Sequence, residues 1–347
     1  MLVTESIIGI QNNQASLSVD LIGGALTDFH LHNNVNPLNF KLSPQNMPDI
    51  NRSGACYQGH FLCLGHWGPP SGGEKQAGLP HHGQAASLLW VEQSSDHINE
   101  ILMQVEMPLE GLHLARSINL DANNAVFKVN EQVTNTNPLG RLYNMVQHPT
   151  IAGPFLTANT IVNCNADNGF NYLQSSKPLE HAAKWPGGIM EDAGKMNISK
   201  PDKACSSVFC FTIEKDAALG WITAYSPEND LLIGYLWNRK DYPWINLWQD
   251  FDGDNIRYRG LEFGTTGMHK PFKQILHEGN HQVFGEYTYK YIDAGETQSR
   301  NYLAFLCQTP AGYTGTANVA VRDGNILITA IGTSRQITIK TTLSDGF

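Results

Sequence analysis

Three segments of this 347-residue chain carry residue types whose spacing suits acid–base chemistry. The first is Arg259-Gly260-Leu261-Glu262-Phe263-Gly264-Thr265-Thr266-Gly267, where one carboxylate sits in a strand-like run followed by a glycine-bounded turn. A lone acid on a strand, with glycines beside it, can reach into a cleft and let another molecule approach the backbone closely. The second, Tyr143-Asn144-Met145-Val146-Gln147-His148-Pro149-Thr150, reads as a strand ended by His148, with Pro149 turning the chain away. An imidazole titrates near working pH and serves as general acid or base. The third holds His60, His66 and Trp67, then His81-His82-Gly83, then Trp90. Imidazoles donate to sugar hydroxyls and indole faces stack on pyranose C–H surfaces, so this segment suits a carbohydrate cleft. It reads equally as a rigid proline loop with satisfied histidines. Paired across a cleft with a histidine, Glu262 could remove a proton while the imidazole supplies one.

Two other patterns lack the elements their chemistry needs. His277-Glu278-Gly279-Asn280-His281 matches HExxH, which binds zinc only when both histidines share a helix face. Gly279-Asn280 is a turn pair, and strand-like residues follow. Asp250-Phe251-Asp252-Gly253-Asp254-Asn255 resembles the start of a calcium loop, but Asn255 stands at the glycine position and the closing acid falls on Leu261. A hairpin turn is the better reading. The patterns of phosphate loops, dinucleotide folds and GxSxG nucleophiles are absent. No metal and no cofactor are expected.

The elements that must position these residues are strands. Ala15 to Ile22 alternates and stops at Gly23-Gly24, and Ala25 to Leu31 continues after that turn. Asn99 to Met107, Leu112 to Leu120 and Ala125 to Thr134 follow as hairpin-linked strands. Further strands are expected at Ser207 to Ile213, Gly220 to Tyr225, Leu231 to Trp237, Trp244 to Trp248, Ile256 to Phe263, Phe284 to Tyr291 and Asn301 to Leu306. Helical periodicity is missing over any long window, with short turns near Gln45 and Phe272. Many short strands at regular spacing imply an antiparallel sandwich or barrel. Gly65 to Gln84, with three prolines and six glycines, is the one long irregular stretch, of the kind that is usually functional or disordered. No linker divides residues 1–347, and 311–347 reads as a C-terminal β extension of a single domain.

Composition narrows the partners. A net charge of −9 and 16% charged residues argue against nucleic acid and anionic membrane surfaces. Six cysteines without a CxxC pair suit buried free thiols. No signal peptide and no apolar run long enough to span a bilayer are visible, so a soluble, cytoplasmic protein is expected. The oligomeric state is left open.

Taken in order, the strand–turn Val19-Asp20-Leu21-Ile22-Gly23-Gly24-Ala25-Leu26, the His82-Gly83 pair ahead of Trp90, His148 after a strand and Glu262 in a late strand resemble the aldose 1-epimerase (galactose mutarotase-like) superfamily. The likeness spans most of Leu17 to Leu306. It implies a large antiparallel β-sandwich, the supersandwich, with a free sugar in a cleft on one sheet. It also implies that Glu262 takes the proton of the anomeric hydroxyl, that His148 protonates the ring oxygen, and that His82 binds substrate. Where relatives carry an arginine, this chain offers His60 or His66, and Trp67 is placed at the cleft wall. Asp241 and Asp250 lie near the stretch of the family's substrate-binding aspartate, and Leu-Glu-Phe-Gly replaces the family's Leu-Glu-Pro. Two other readings remain: a non-catalytic carbohydrate-binding protein on the same fold, and a glycan lyase or hydrolase.

Overall fold

The structure, a computed structural model, describes residues 6–52, 54–190, 194–201 and 205–347. It is an antiparallel β architecture with, among the described residues, two short α-helices, Gly72–Gln76 and Phe272–His277. One large sheet has eleven strands. Its centre runs His60–Gly65, Arg141–Ala152, Asn255–Gly264, Trp244–Asp252, Ser207–Ile213. A second sheet of eight strands includes Leu112–Leu120, Val126–Asn135, Thr297–Gln308 and Leu231–Asn238. The strands alternate as the period-2 pattern demands: Leu112–Leu120 buries every odd-numbered position's neighbour on one face and half-exposes the other.

The two sheets bury one shared aliphatic and aromatic core. Trp237 of the eight-stranded sheet stacks on Phe263 of the eleven-stranded one with centroids 4.1 Å apart, and Phe29 meets Phe127 edge-on at 4.8 Å. Such pairs add directional preference to area burial. A second apolar cluster, including Phe40, Tyr57, Phe61, Trp67, Val146, Trp244, Met268 and Ile275, lies on the outer face of the large sheet beneath its long connections. The candidate site sits there. A third cluster joins the outer face of the eight-stranded sheet to the tail, where Thr316–Arg322, Asn325–Ala330 and Gln336–Lys340 form their own three-stranded sheet. The tail thus packs away from the face that bears the candidate site.

Two expectations about strands are corrected. The strand Arg141–Ala152 does not end at His148; it passes through Pro149, which lies opposite His60. Proline removes one donor, but the ladder resumes at once, because Thr150 N–H donates to Gly59 O at 3.1 Å. The expected strand Phe284 to Tyr291 is three fragments, Gln282–Val283, Glu286–Tyr287 and Lys290–Ile292, because Phe284 and Gly285 both take positive φ. The HExxH match straddles the end of the helix Phe272–His277, with Gly279 at φ 72°, so its histidines share no helix face. Asp250 to Asn255 belongs to a hairpin between Trp244–Asp252 and Asn255–Gly264.

A polar chain crosses the apolar space between the sheets. Arg116 donates to Gly24 O at 2.7 Å and through Nε to Glu131 Oε1 at 2.9 Å. Glu131 Oε2 accepts from Gln147 Nε2 at 2.6 Å, and Gln147 Oε1 pairs with His60 Nε2 at 3.1 Å. Removing one member of a buried ion pair strands the other charge, at a cost of about 3–5 kcal/mol. Arg116→Met should therefore lower unfolding stability by about that amount in urea titrations, and adding Glu131→Met should recover part of the loss. A stability change under about 1 kcal/mol in Arg116→Met would show that the pair has no such role.

Candidate functional site

Strand pairing places the two candidate catalytic groups face to face. Gly260 pairs with Thr150 and Phe263 with Gln147, so the register sets Glu262 opposite His148 on the adjacent strand. Both point to the outer face because neighbouring residues alternate sides. Glu262 Oε1 lies 3.1 Å from His148 Nε2. On the far side of His148, Phe61 stacks on its imidazole at 4.2 Å, and Tyr57 stacks in turn on Phe61 at 4.6 Å. The imidazole is thereby held flat between apolar rings.

These groups line a cavity of about 250 Å³. Its polar side carries Trp67, His81, His82, His148, Glu262 and His269. Phe40, Leu42, Pro48, Val208 and Trp248 supply the apolar side, and Asn46, Tyr57, Phe61 and Tyr172 complete it. No lysine or arginine lines it, and Glu262 is its only carboxylate, among the described residues.

Thr150 Oγ1 donates to the carbonyl of His148 at 3.4 Å and lies 3.0 Å from His148 Nδ1, where it accepts in the tautomer protonated at Nδ1. That leaves a lone pair on Nε2, aimed at Glu262. Burial raises the Glu262 carboxyl well above the usual carboxylate range and lowers His148 to about 3. Both shifts favour the neutral forms, a protonated carboxyl beside a neutral imidazole. The Trp67 indole N–H favours the charged form of Glu262 but stays outside hydrogen-bond geometry, so both it and Glu262 Oε2 are unpartnered. Buried polar atoms are normally satisfied, so both can pair with polar groups inside the cavity.

His82 is held in a strained conformation, with φ at 65°. Its Nδ1 accepts the Gly68 N–H at 3.1 Å, so Nε2 carries the ring proton. The preceding residue is clamped: Asn51 accepts from His81 N–H at 2.9 Å and donates to His81 O at 3.0 Å, while Tyr57 O–H donates to the same oxygen at 2.7 Å. Burial, then neighbouring histidines, lowers the pKa of His82, and burial lowers His81 to about 4 and His269 to about 3.

Of the residues singled out in the sequence, Glu262, His148, His82 and Trp67 line this cavity. His60 does not. It is one residue from Phe61, which faces the cavity, so alternation turns its ring into the core between the sheets, where it packs on Tyr235 and Tyr302 and meets Gln147. His66 is buried outside the lining, Asp250 pairs with Arg257, and Asp241 also lies outside it. Trp67 is a buried wall residue, not an exposed platform. Sequence reasoning missed His269 and Trp248. Trp248 lies on the strand that pairs with that of Glu262, and His269 seven residues beyond Glu262 on the connection that follows, so folding and not sequence spacing brings them together.

No family model matches the chain, and no curated protein matches it. Solved structures do. A galactose mutarotase related enzyme from Lactobacillus acidophilus superposes with a TM-score of 0.61 at 11% identity, covering 87% of this chain and 98% of that one. A galactose mutarotase-like protein from Clostridium acetobutylicum gives 0.60 at 12% identity, over 87% and 95%. Another from Lactobacillus casei gives 0.57 at 12% identity, over 87% and 100%. The fold is therefore galactose mutarotase-like.

The buried histidines make stability pH-dependent. Unfolded, they take up protons near 6.5; folded, His66 and His81 resist until about 4, and His148 and His269 until about 3. The unfolded chain binds more protons throughout that window, so stability rises with pH between about 4 and 6.5 and is lost as acid is added. Each group contributes up to about 1.4 kcal/mol per pH unit. Glu262 and Glu110, held protonated by burial, act in the opposite sense above 4.5, Glu110 up to about 8. Urea unfolding at stepped pH should show this rise, with a shallower slope in His148→Gln. An unaltered slope in that variant would mean that His148 is not buried neutral.

Proposed function

We propose that this chain is an aldose 1-epimerase-like isomerase, interconverting the anomers of a free, uncharged sugar by opening and reclosing its ring. The observation that carries the reading is the Glu262–His148 pair, 3.1 Å apart in a cavity of monosaccharide scale without a cationic side chain in its lining. The anomeric hydroxyl oxygen O1 and the ring oxygen O5 are both bonded to C1. A base for one and an acid for the other must therefore stand within a few ångströms of each other.

The proton balance closes. Transfer of the carboxyl proton from Glu262 to His148 Nε2 gives a carboxylate and an imidazolium. The carboxylate takes the O1 proton, the C1–O5 bond breaks as C1 becomes a carbonyl, and the imidazolium gives its proton to O5. Rotation about C1–C2 presents the other face of the carbonyl. The hydroxyl O5 then attacks C1 while His148 takes its proton and Glu262 returns one to the new O1. Closure leaves the pair ionised, and return of the proton from His148 Nε2 to Glu262 restores its starting form. The neutral and ionised forms of one buried pair are the two ends of each half-reaction, which is the matching of acid and base that such catalysis needs. His82 Nε2–H supplies a donor for a sugar oxygen, and the Trp67 N–H a second. The apolar wall of Phe40, Trp248 and Val208 suits the C–H face of a pyranose.

The missing cation and the single carboxylate bear on the alternatives. A sugar-phosphate reader would need a clustered Arg or Lys. A glycosidase usually needs two carboxylates flanking its bond. The non-catalytic binding reading differs from ours only in turnover. Anomer exchange, followed by polarimetry or NMR magnetisation transfer over a panel of neutral aldoses, should be accelerated by the wild type. Glu262→Gln and His148→Gln should each lose about 10²–10⁴-fold. Calorimetric binding of a sugar with exchange no faster than in buffer would replace the isomerase with a binding protein.

A further inference from the structure

His81, His82 and His269 offer ring nitrogens that all lie within 4.8 Å of one another. Their rings stand 4.2, 5.3 and 5.5 Å apart between centroids, at one end of the cavity. We propose that these three histidines form a binding site for a borderline transition-metal cation of the Zn²⁺ class, open toward the cavity.

Donor type selects the cation. Three imidazoles suit Zn²⁺, Co²⁺, Ni²⁺ or Cu²⁺ and are poor partners for Mg²⁺ and Ca²⁺, which demand oxygen. Three protein ligands leave a fourth tetrahedral position for water or a ligand oxygen. The backbone that presents them is built for rigidity. Asn51 and Tyr57 lock both polar groups of the His81 peptide unit, and His82 is kept at φ 65° against its preference. Burial keeps the three rings neutral, the form that ligates.

One feature of the cluster sets a cost. His82 Nδ1 already accepts the Gly68 N–H, so ligation through either ring nitrogen exchanges that hydrogen bond for a metal–nitrogen bond. Such a bond contributes only about 1 kcal/mol net, far less than structural zinc binding releases. The exchange leaves a mark nearby, because Gly68 follows Trp67, and the Trp67 ring packs edge-on against His269 at 4.8 Å. Metal uptake should therefore perturb an indole beside the proposed acid–base pair.

The test uses the full chain and metals alone. Co²⁺ titration should give a saturable visible absorption band at one equivalent, displaced by Zn²⁺ but not by excess Mg²⁺ or Ca²⁺, with a matching change in tryptophan fluorescence. His81→Gln and His269→Gln should each weaken binding at least about tenfold, by analogy with losses on disturbing the outer shell of metal sites. His113→Gln, on a strand of the other sheet, should bind as the wild type does. Circular dichroism and thermal midpoints confirm that the variants fold. If neither does, histidine ring ¹⁵N spectra of the unsubstituted chain decide: Zn²⁺ should shift three rings among the 13 histidines. Absence of saturable binding below about 1 mM, equal binding by both variants, equal competition by Mg²⁺, or unshifted rings would each overturn the site. None of these readouts involves a sugar, so they stand apart from the test of isomerase activity.

Discussion

The structure depends on one register. Pairing of Asn255–Gly264 with Arg141–Ala152 puts Glu262 and His148 on the same face and opposite each other; a slip of one residue would turn one of them into the sheet interface. Both faces of the pairing defend it. On the inner side, Gln147 is tied into the Arg116–Glu131–His60 chain, and Phe263 is stacked on Trp237. On the outer side, Phe61 fixes the imidazole plane. Close approach also demands a small residue: a Cβ at Gly264 would stand 2.5 Å from Val146 Cγ2. Gly264 thus serves the packing of two strands, and the polar chain between the sheets and the Glu262–His148 pair on the outer face are opposite sides of the same ladder.

Burial then decides the chemistry available to the pair. In water a carboxylate and an imidazole near neutral pH would be mostly ionised and mostly neutral, respectively, with little coupling. Between Phe61, Trp248 and the sheet, charge separation is penalised, and the neutral arrangement is favoured. A bound polyol replaces part of the lost solvation with its own hydroxyls. That lowers the cost of the ionised pair only while a polar ligand is present. The Trp67 N–H and Glu262 Oε2, without a protein partner, act in the same direction, since each can pair with a hydroxyl of such a polyol.

Much of this was legible in the chain, for reasons that also explain what was not. Leu112–Leu120 was read with its observed limits because period-2 burial is written into consecutive residues, and Ser207–Ile213, buried at all but Val208, because its β-branched and aromatic run favours a strand. Glu262, His148 and His82 were conspicuous as titratable residues in strand-like or glycine-rich surroundings. His60 was misplaced because side-chain parity depends on where a strand starts, and the strand His60–Gly65 has all six residues buried, giving no alternation to read. His148 looked terminal because proline normally interrupts ladders, whereas here one missing donor is tolerated between paired neighbours. The clustering of His81, His82 and His269 was closed to sequence altogether. Proximity across long connections is created by packing, and the strained φ of His82 cannot be inferred from a His-His-Gly string that fits ordinary turns equally well.

The loop that carries His82 is a wall of the cavity, not a lid over it. Its turn is wrapped around Glu110, whose two oxygens accept the Gln84 N–H at 3.1 and 3.2 Å and whose carboxyl is pushed up to about 8 by burial. A Cβ at either Gly65 or Gly83 would come within 2.6 Å of Glu110 Oε1, so both glycines, at φ 94° and 81°, are required by that contact as well as by their backbone angles. A moving loop would have to expose a buried carboxyl and break the Asn51–His81 clamp together. The opposite wall has fewer ties: Pro44–Asn46 is a single 3₁₀ turn without a side-chain cap and buries none of its residues. Entry of a ligand therefore has its lower-cost route past Leu42, Asn46 and Pro48, with the histidine side held fixed as the surface against which the ligand is oriented.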